Sequence, residues 1–126
     1  CDVGKELGRE NGKMDLNNYN KEELFGTKFT MTKGERVEYG QSLMTHAMVF
    51  MGVNLDEDGK PNRWKVENSW GKESGKDGYY MMTDEWFDEY MYQVVVNKKY
   101  VPEEVLKEYE SEPIMLEPWD PMGSLA

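Results

Sequence analysis

The chain has 126 residues and a net charge of −10, from 15 basic and 25 acidic side chains, which fits one domain or part of one and argues against a multidomain architecture. With 38% hydrophobic residues, among them four tryptophans, eight tyrosines and four phenylalanines, a packed core is feasible despite a mean hydropathy of −0.85. A pI near 4.6 disfavours nucleic acid and anionic membranes as partners, one cysteine and one histidine exclude a disulfide framework or a zinc site, and no apolar run reaches the roughly 18 residues of a membrane span.

The opening Cys1-Asp2-Val3-Gly4-Lys5 has neither an initiator methionine nor an apolar signal core, and reads as the middle of a longer polypeptide. Residues 1–16 mix glycines and charges without a period and are expected to be irregular. Asn20 with Glu23 three positions on predicts a short helix that stops at Gly26, and Thr32 with Glu35 repeats the pattern before a turn at Gly40. From Ser42 to Leu55 both alternating sets are apolar, which predicts a strand buried on two sides.

The turn-rich run 56–62 and the alternation from Arg63 to Trp70 then predict a β-hairpin whose second strand turns Trp64, Val66, Asn68 and Trp70 to one face. A glycine-punctuated loop over 71–78 leads to a strand over Tyr79–Met82 and a helix from Thr83 or Asp84 to Tyr90. Gln93–Asn97 is a further strand candidate, Pro102 opens a last helix through Tyr109, and the proline-bearing tail from Pro113 to Ala126 is expected to be extended. The organisation is therefore an irregular segment with short helices over 1–41, an antiparallel β core over 42–100, and a helix with a C-terminal arm over 101–126.

His46 is the only histidine, in phase with Met44, Met48 and Phe50. Its plain reading is a buried imidazole satisfied by a backbone group. Symmetry of the hairpin about Glu57 gives it another neighbour, because His46 and Asn68 then fall near one rung, where an amide oxygen can orient an imidazole N–H. That pairing is the base half of a Cys-His-Asn set, in which the second ring nitrogen faces a thiol. Cys1 is the only sulfhydryl, and no helix N-terminus follows it to lower its pKa. Asn54–Gly59 imitates the start of a calcium loop, but Lys65 stands where a bidentate Glu is needed, and residues 71–77 lack the spacing of a phosphate loop; no metal or other cofactor is expected.

The runs Ser42-Leu43-Met44-Thr45-His46-Ala47-Met48 and Val66-Glu67-Asn68-Ser69-Trp70-Gly71, followed by Gly75 and Gly78-Tyr79-Tyr80, resemble the histidine and asparagine regions of papain-like cysteine peptidases. The Met-Thr-His-Ala-Met run and the ending Glu117-Pro118-Trp119-Asp120-Pro121-Met122-Gly123-Ser124-Leu125-Ala126 are closer to the aminopeptidase C and bleomycin hydrolase branch. The resemblance implies an α+β fold, the antiparallel β-rich half of a papain-like peptidase with short flanking helices. It implies that His46 and Asn68 are catalytic, that Trp70 shields their hydrogen bond, and that the carboxylate of Ala126 anchors the amino end of a peptide substrate. The nucleophilic cysteine and the oxyanion-hole glutamine would come from an upstream helical half of the same polypeptide, so residues 1–126 alone should be inert. A homohexamer is implied as well. The alternative is a non-catalytic, acidic, β-rich interaction module in which His46 and Asn68 are a structural polar pair.

Overall fold

A computed structural model of the chain describes residues 1–125. Five strands form one mixed sheet in the order β1-β2-β5-β4-β3: β1 is Leu7–Gly8, β2 Lys13–Met14, β3 Val49–Leu55, β4 Pro61–Glu67 and β5 Tyr79–Thr83. All neighbours run antiparallel except β2 and β5, which pair in parallel through Lys13↔Met81 and Met14↔Met82. Four short helices flank the sheet: α1 (Lys21–Phe25), α2 (Lys33–Glu38), α3 (Asp84–Tyr90) and α4 (Glu103–Tyr109). Single 3₁₀ turns span Lys98–Tyr100 and Pro121–Leu125.

The helices form where local chemistry places them. The Asn20 side chain accepts from Glu23 N–H and Gly26 closes α1 at φ 61°. Thr32 and Glu35 make a reciprocal capping box on α2, and the Thr83 hydroxyl caps α3. No basic residue lies in the last turn of α3. Cations from α2 supply what that helix end lacks: Lys33 Nζ donates to the Asp88 carbonyl at 2.7 Å and to that of Met91, while Arg36 bonds both the carbonyl and the carboxylate of Glu89. Partial burial pushes the Lys33 amine below its ordinary pKa, against the pull of Glu89 and Asp88.

The core is a seam between sheet and α3. Met14, Val66, Tyr80, Met82 and Trp86 are almost fully buried, and Cys1, Val3 and Leu7 close the seam from the N-terminal side. Phe50, Trp64 and Phe87 form an aromatic group beside it, with Trp64 and Phe87 stacked at 5.2 Å and the Trp64 indole donating to Asp84 Oδ1 at 2.8 Å.

Four expectations change. Residues 1–16 are not irregular throughout: they supply β1 and β2, and they bury Cys1, Asp2, Val3 and Leu7, long-range pairings that no local pattern announces. The strand expected over 42–55 begins only at Val49, and β3 is exposed along its length, because it is the edge of the sheet and, apart from Phe87 against Phe50, residues 1–125 provide little cover for it. Residues 93–97 make no strand pairing, and Val94, Val95 and Val96 are exposed. The tail is not uniformly extended, since Pro121–Leu125 turns into a 3₁₀ helix.

Trp86 is fully buried and its indole donates to the Lys5 carbonyl at 2.8 Å, tying α3 to the N-terminal segment. Trp86→Ala is expected to cost about 3–5 kcal/mol, seen as a lower urea midpoint. The backbone amide of Thr32, then its hydroxyl, holds the Glu35 carboxyl below its ordinary value of 4.5. Because the folded value is the lower one, this contribution is present above pH 4.5 and is lost as pH falls through the folded value. The stability gap between wild type and Glu35→Ala should therefore shrink below pH 4.5 in a series of thermal melts.

Candidate active site

His46 lies on an extended segment, residues 42–48, that belongs to no strand. The period-two reading still holds there: Ser42 is buried, Met44, His46 and Met48 are half-buried, and Leu43, Thr45 and Ala47 face outward or are more exposed. Asn68 follows the last residue of β4. The rung predicted from symmetry about Glu57 does not exist. Val49 pairs with Glu67 and Phe50 with Val66, a register that would set Met48 opposite Asn68, and irregularities at Phe50/Gly52 and Asn54/Leu55 shift it further along the hairpin.

The two side chains meet nonetheless. His46 Nε2 lies 2.8 Å from Asn68 Oδ1, and Asn68 is only 8% exposed. The same oxygen accepts from the Ser69 backbone N–H at 2.8 Å. This second donor identifies the amide atom, because a flipped Asn68 would turn its NH₂ toward the Ser69 N–H. An oxygen facing the ring makes Nε2 the protonated nitrogen and leaves Nδ1 free to accept a proton. The backbone N–H of Asn68 donates to the Gly78 carbonyl at 3.0 Å, which sets the amide's height beside β5.

Trp70 packs against the imidazole. Its ring lies 4.9 Å from that of His46 at a tilt of 34°, and Tyr80 meets it edge-on at 6.0 Å. The Tyr80 hydroxyl is shared with Ser74 Oγ at 2.6 Å, and the Arg9 guanidinium sits over the indole at 5.0 Å. Gly75 permits this arrangement: at φ +64° a Cβ would come within 2.5 Å of the Tyr79 carbonyl and 2.7 Å of the Tyr80 ring.

Cys1 stands beside the histidine in an unexpected role. Its backbone N and O pair with the O and N of His46 at 3.0 and 3.2 Å. Its sulfur is buried and directed at the His46 carbonyl at 3.5 Å, not at the imidazole. Ala126, expected to anchor a substrate amino group, lies outside the described residues. A groove of about 800 Å³ over β4 and β5, lined in part by Lys13, Arg63, Lys65 and Tyr79, contains neither His46 nor Asn68. Among the described residues no cluster of three His, Cys, Asp or Glu side chains could hold a metal ion. Sequence reasoning missed the Ser69 amide, Tyr80, Arg9 and the Cys1 backbone; of these residues Ser69 and Tyr80 stood in quoted motifs.

An imidazole with one nitrogen tied to an amide oxygen under an indole, and the other left open, can take a proton from an acid brought to it and return that proton. A model of the Peptidase C1-like family matches residues 1–123. Aminopeptidase C of Lactococcus lactis subsp. cremoris is 52% identical over 126 residues, covering all of this chain and 29% of the relative. Bleomycin hydrolase of Homo sapiens is 54% identical over 129 residues, again covering all of this chain and 28% of the relative. The crystal structure of PepW from Lactobacillus rhamnosis HN001 matches with a TM-score of 0.87 and 55% identity over 99% of this chain and 28% of that one. The chain thus spans less than a third of the length of the curated relatives it matches.

Gly75→Ala should force Tyr80 away from Trp70 and destabilise the protein by at least about 2 kcal/mol, since a positive φ and two close contacts act together. Chemical denaturation, with tryptophan fluorescence reporting the Trp70 environment, measures both effects.

Proposed function

Since the chain belongs to the Peptidase C1-like family, we propose that it is the part of a cysteine-type aminopeptidase that carries the general base. The observation that supports this most directly is the 2.8 Å contact of His46 Nε2 with Asn68 Oδ1, roofed by Trp70. In this reading His46 Nδ1 takes the proton of a thiol contributed by an upstream portion of the polypeptide, and the thiolate attacks the carbonyl carbon of the first peptide bond. His46 then gives the proton to the leaving amine. Water, deprotonated by the same imidazole, hydrolyses the acyl-enzyme and regenerates the thiol. Asn68 fixes the tautomer and orientation and stabilises the imidazolium in between, and Trp70 keeps water from competing for the amide oxygen.

Cys1 is assigned a structural place, because its sulfur is only 6% exposed with the rest of the residue and faces a carbonyl. The upstream portion is the partner that would cover β3, whose Val49, Met51, Val53 and Leu55 side chains are all about half exposed. The terminal carboxylate of Ala126 is assigned to the ammonium of the peptide substrate, which would confine cleavage to the amino end. A homohexamer completes the proposal on the family resemblance, and the single cysteine fits a reducing, cytoplasmic setting; no described helix is long and apolar enough to cross a membrane.

Assayed on an aminoacyl fluorogenic substrate, His46→Ala in the full-length protein should lower kcat by roughly a hundredfold or more with folding retained. Asn68→Ala should cost less, about tenfold, because the base survives without its orienting partner. The 126-residue chain alone should show no thiol-dependent turnover. Unchanged turnover in His46→Ala would instead support a non-catalytic module.

A further inference from the structure

The segment that carries His46 has no strand ladder of its own, yet its backbone is held at several points. Ser42 N–H donates to the Arg36 carbonyl at 3.0 Å, and the ties of residues 43–46 lead to Cys1–Val3. Thr45 N–H and His46 N–H both donate to the Cys1 carbonyl, at 2.9 and 3.2 Å, and the Cys1 nitrogen donates to the His46 carbonyl. The Val3 N–H donates to Thr45 Oγ1 at 3.3 Å. Between them lies Asp2, a carboxyl side chain in a residue only 5% exposed. Its Oδ2 accepts from the Ser42 hydroxyl at 2.8 Å and from the Leu43 N–H at 3.3 Å. Ser42, 1% exposed, in turn accepts from the Tyr92 hydroxyl, and the Asp2 N–H donates to the Tyr90 carbonyl at 3.0 Å.

We infer that Asp2 is a positioning residue for His46, acting through the buried chain Tyr92–Ser42–Asp2 that locks residues 42–46 against Cys1–Val3. The chemistry suits that task. A carboxyl oxygen buried with two donors aimed at it cannot move without leaving a hydroxyl and an amide unpaired in a dry site. Leu43 and Ser42 are fixed by the carboxyl, Thr45 and His46 by the flanking backbone, so the segment has a single register. With the register lost, the imidazole would still be tethered to the chain but not delivered to Asn68. A misplacement of about 1 Å at a catalytic group can cost on the order of a hundredfold in rate. Asp2 touches neither substrate nor imidazole in this account.

The inference rests on the peptidase reading of His46, so its test has one readout that depends on activity and one that does not. In the full-length protein, Asp2→Asn and Asp2→Ala should lower kcat at least tenfold while KM changes less than threefold, because the lost element places the base and does not bind substrate. Tyr92→Phe, which deletes only the far hydroxyl, should lower kcat about threefold and serves if the Asp2 variants do not fold. Crystal structures of the same variants should show the His46–Asn68 contact lengthened beyond hydrogen-bonding distance, or His46 in more than one position. That structural result stands whether or not the wild-type protein turns over aminoacyl substrates. Full kcat with the His46–Asn68 contact intact in Asp2→Asn and Tyr92→Phe overturns the inference, as does a loss confined to KM.

Discussion

A hydrogen bond from an imidazole to an amide is too weak to organise a protein, with a net worth of about 1 kcal/mol, and comparable entropy is lost when the two side chains are fixed. The contact of His46 with Asn68 therefore depends on a scaffold that delivers both groups already oriented. Asn68 is held from three sides: its N–H by the Gly78 carbonyl, its oxygen by the Ser69 amide, and its surroundings by burial. His46 is held through its backbone, by the reciprocal bonds to Cys1. The indole of Trp70, met edge-on by Tyr80, lies against the His46 ring, and in the proposed function it keeps water from that bond.

The rest of the fold can be understood as support for those two deliveries. β4 carries Val66 into the core and ends at Glu67, so Asn68 emerges beside β5 at the edge of the buried seam. Trp86 locks α3 to Lys5, and at and beyond the end of α3 the Tyr90 carbonyl accepts from the Asp2 N–H while the Tyr92 hydroxyl donates to Ser42, on the segment that leads to His46. The cations of α2 close the C-terminal end of α3. Residues far apart in the chain thus converge on one short stretch, Cys1–Val3. In contrast, β3 carries much apolar surface and almost no cover, in a chain that spans under a third of the relatives it matches.

Features decided within a few residues were legible without coordinates. Asn20 and Thr32 cap their helices where the pattern placed them, because a cap needs only a side-chain oxygen and an amide two or three positions on, and α3 starts at Asp84, one of the two starts expected. The hairpin turn at 56–60 follows from Asp56 and Gly59 in the same way. The pairing of His46 with Asn68 was also legible, but for a partly mistaken reason. Alternation correctly turned both inward, whereas the rung that was to join them is displaced by bulges that leave no composition signal. The valine run at 94–96 misled because β propensity states a preference, and no strand edge was there to satisfy it.

By itself, then, the sequence determined the local elements, the inward phase of His46 and Asn68, and a family whose motifs sit on those same positions, since each of these is written in spacing and residue type. Only the tertiary structure decided which groups hold the pair. The parallel joining of β2 to β5, the Cys1 backbone against His46, and the buried Asp2 beneath Ser42 connect residues 40 or more positions apart. Such contacts arise when the whole chain closes around one core, and no window along it is long enough to contain both partners.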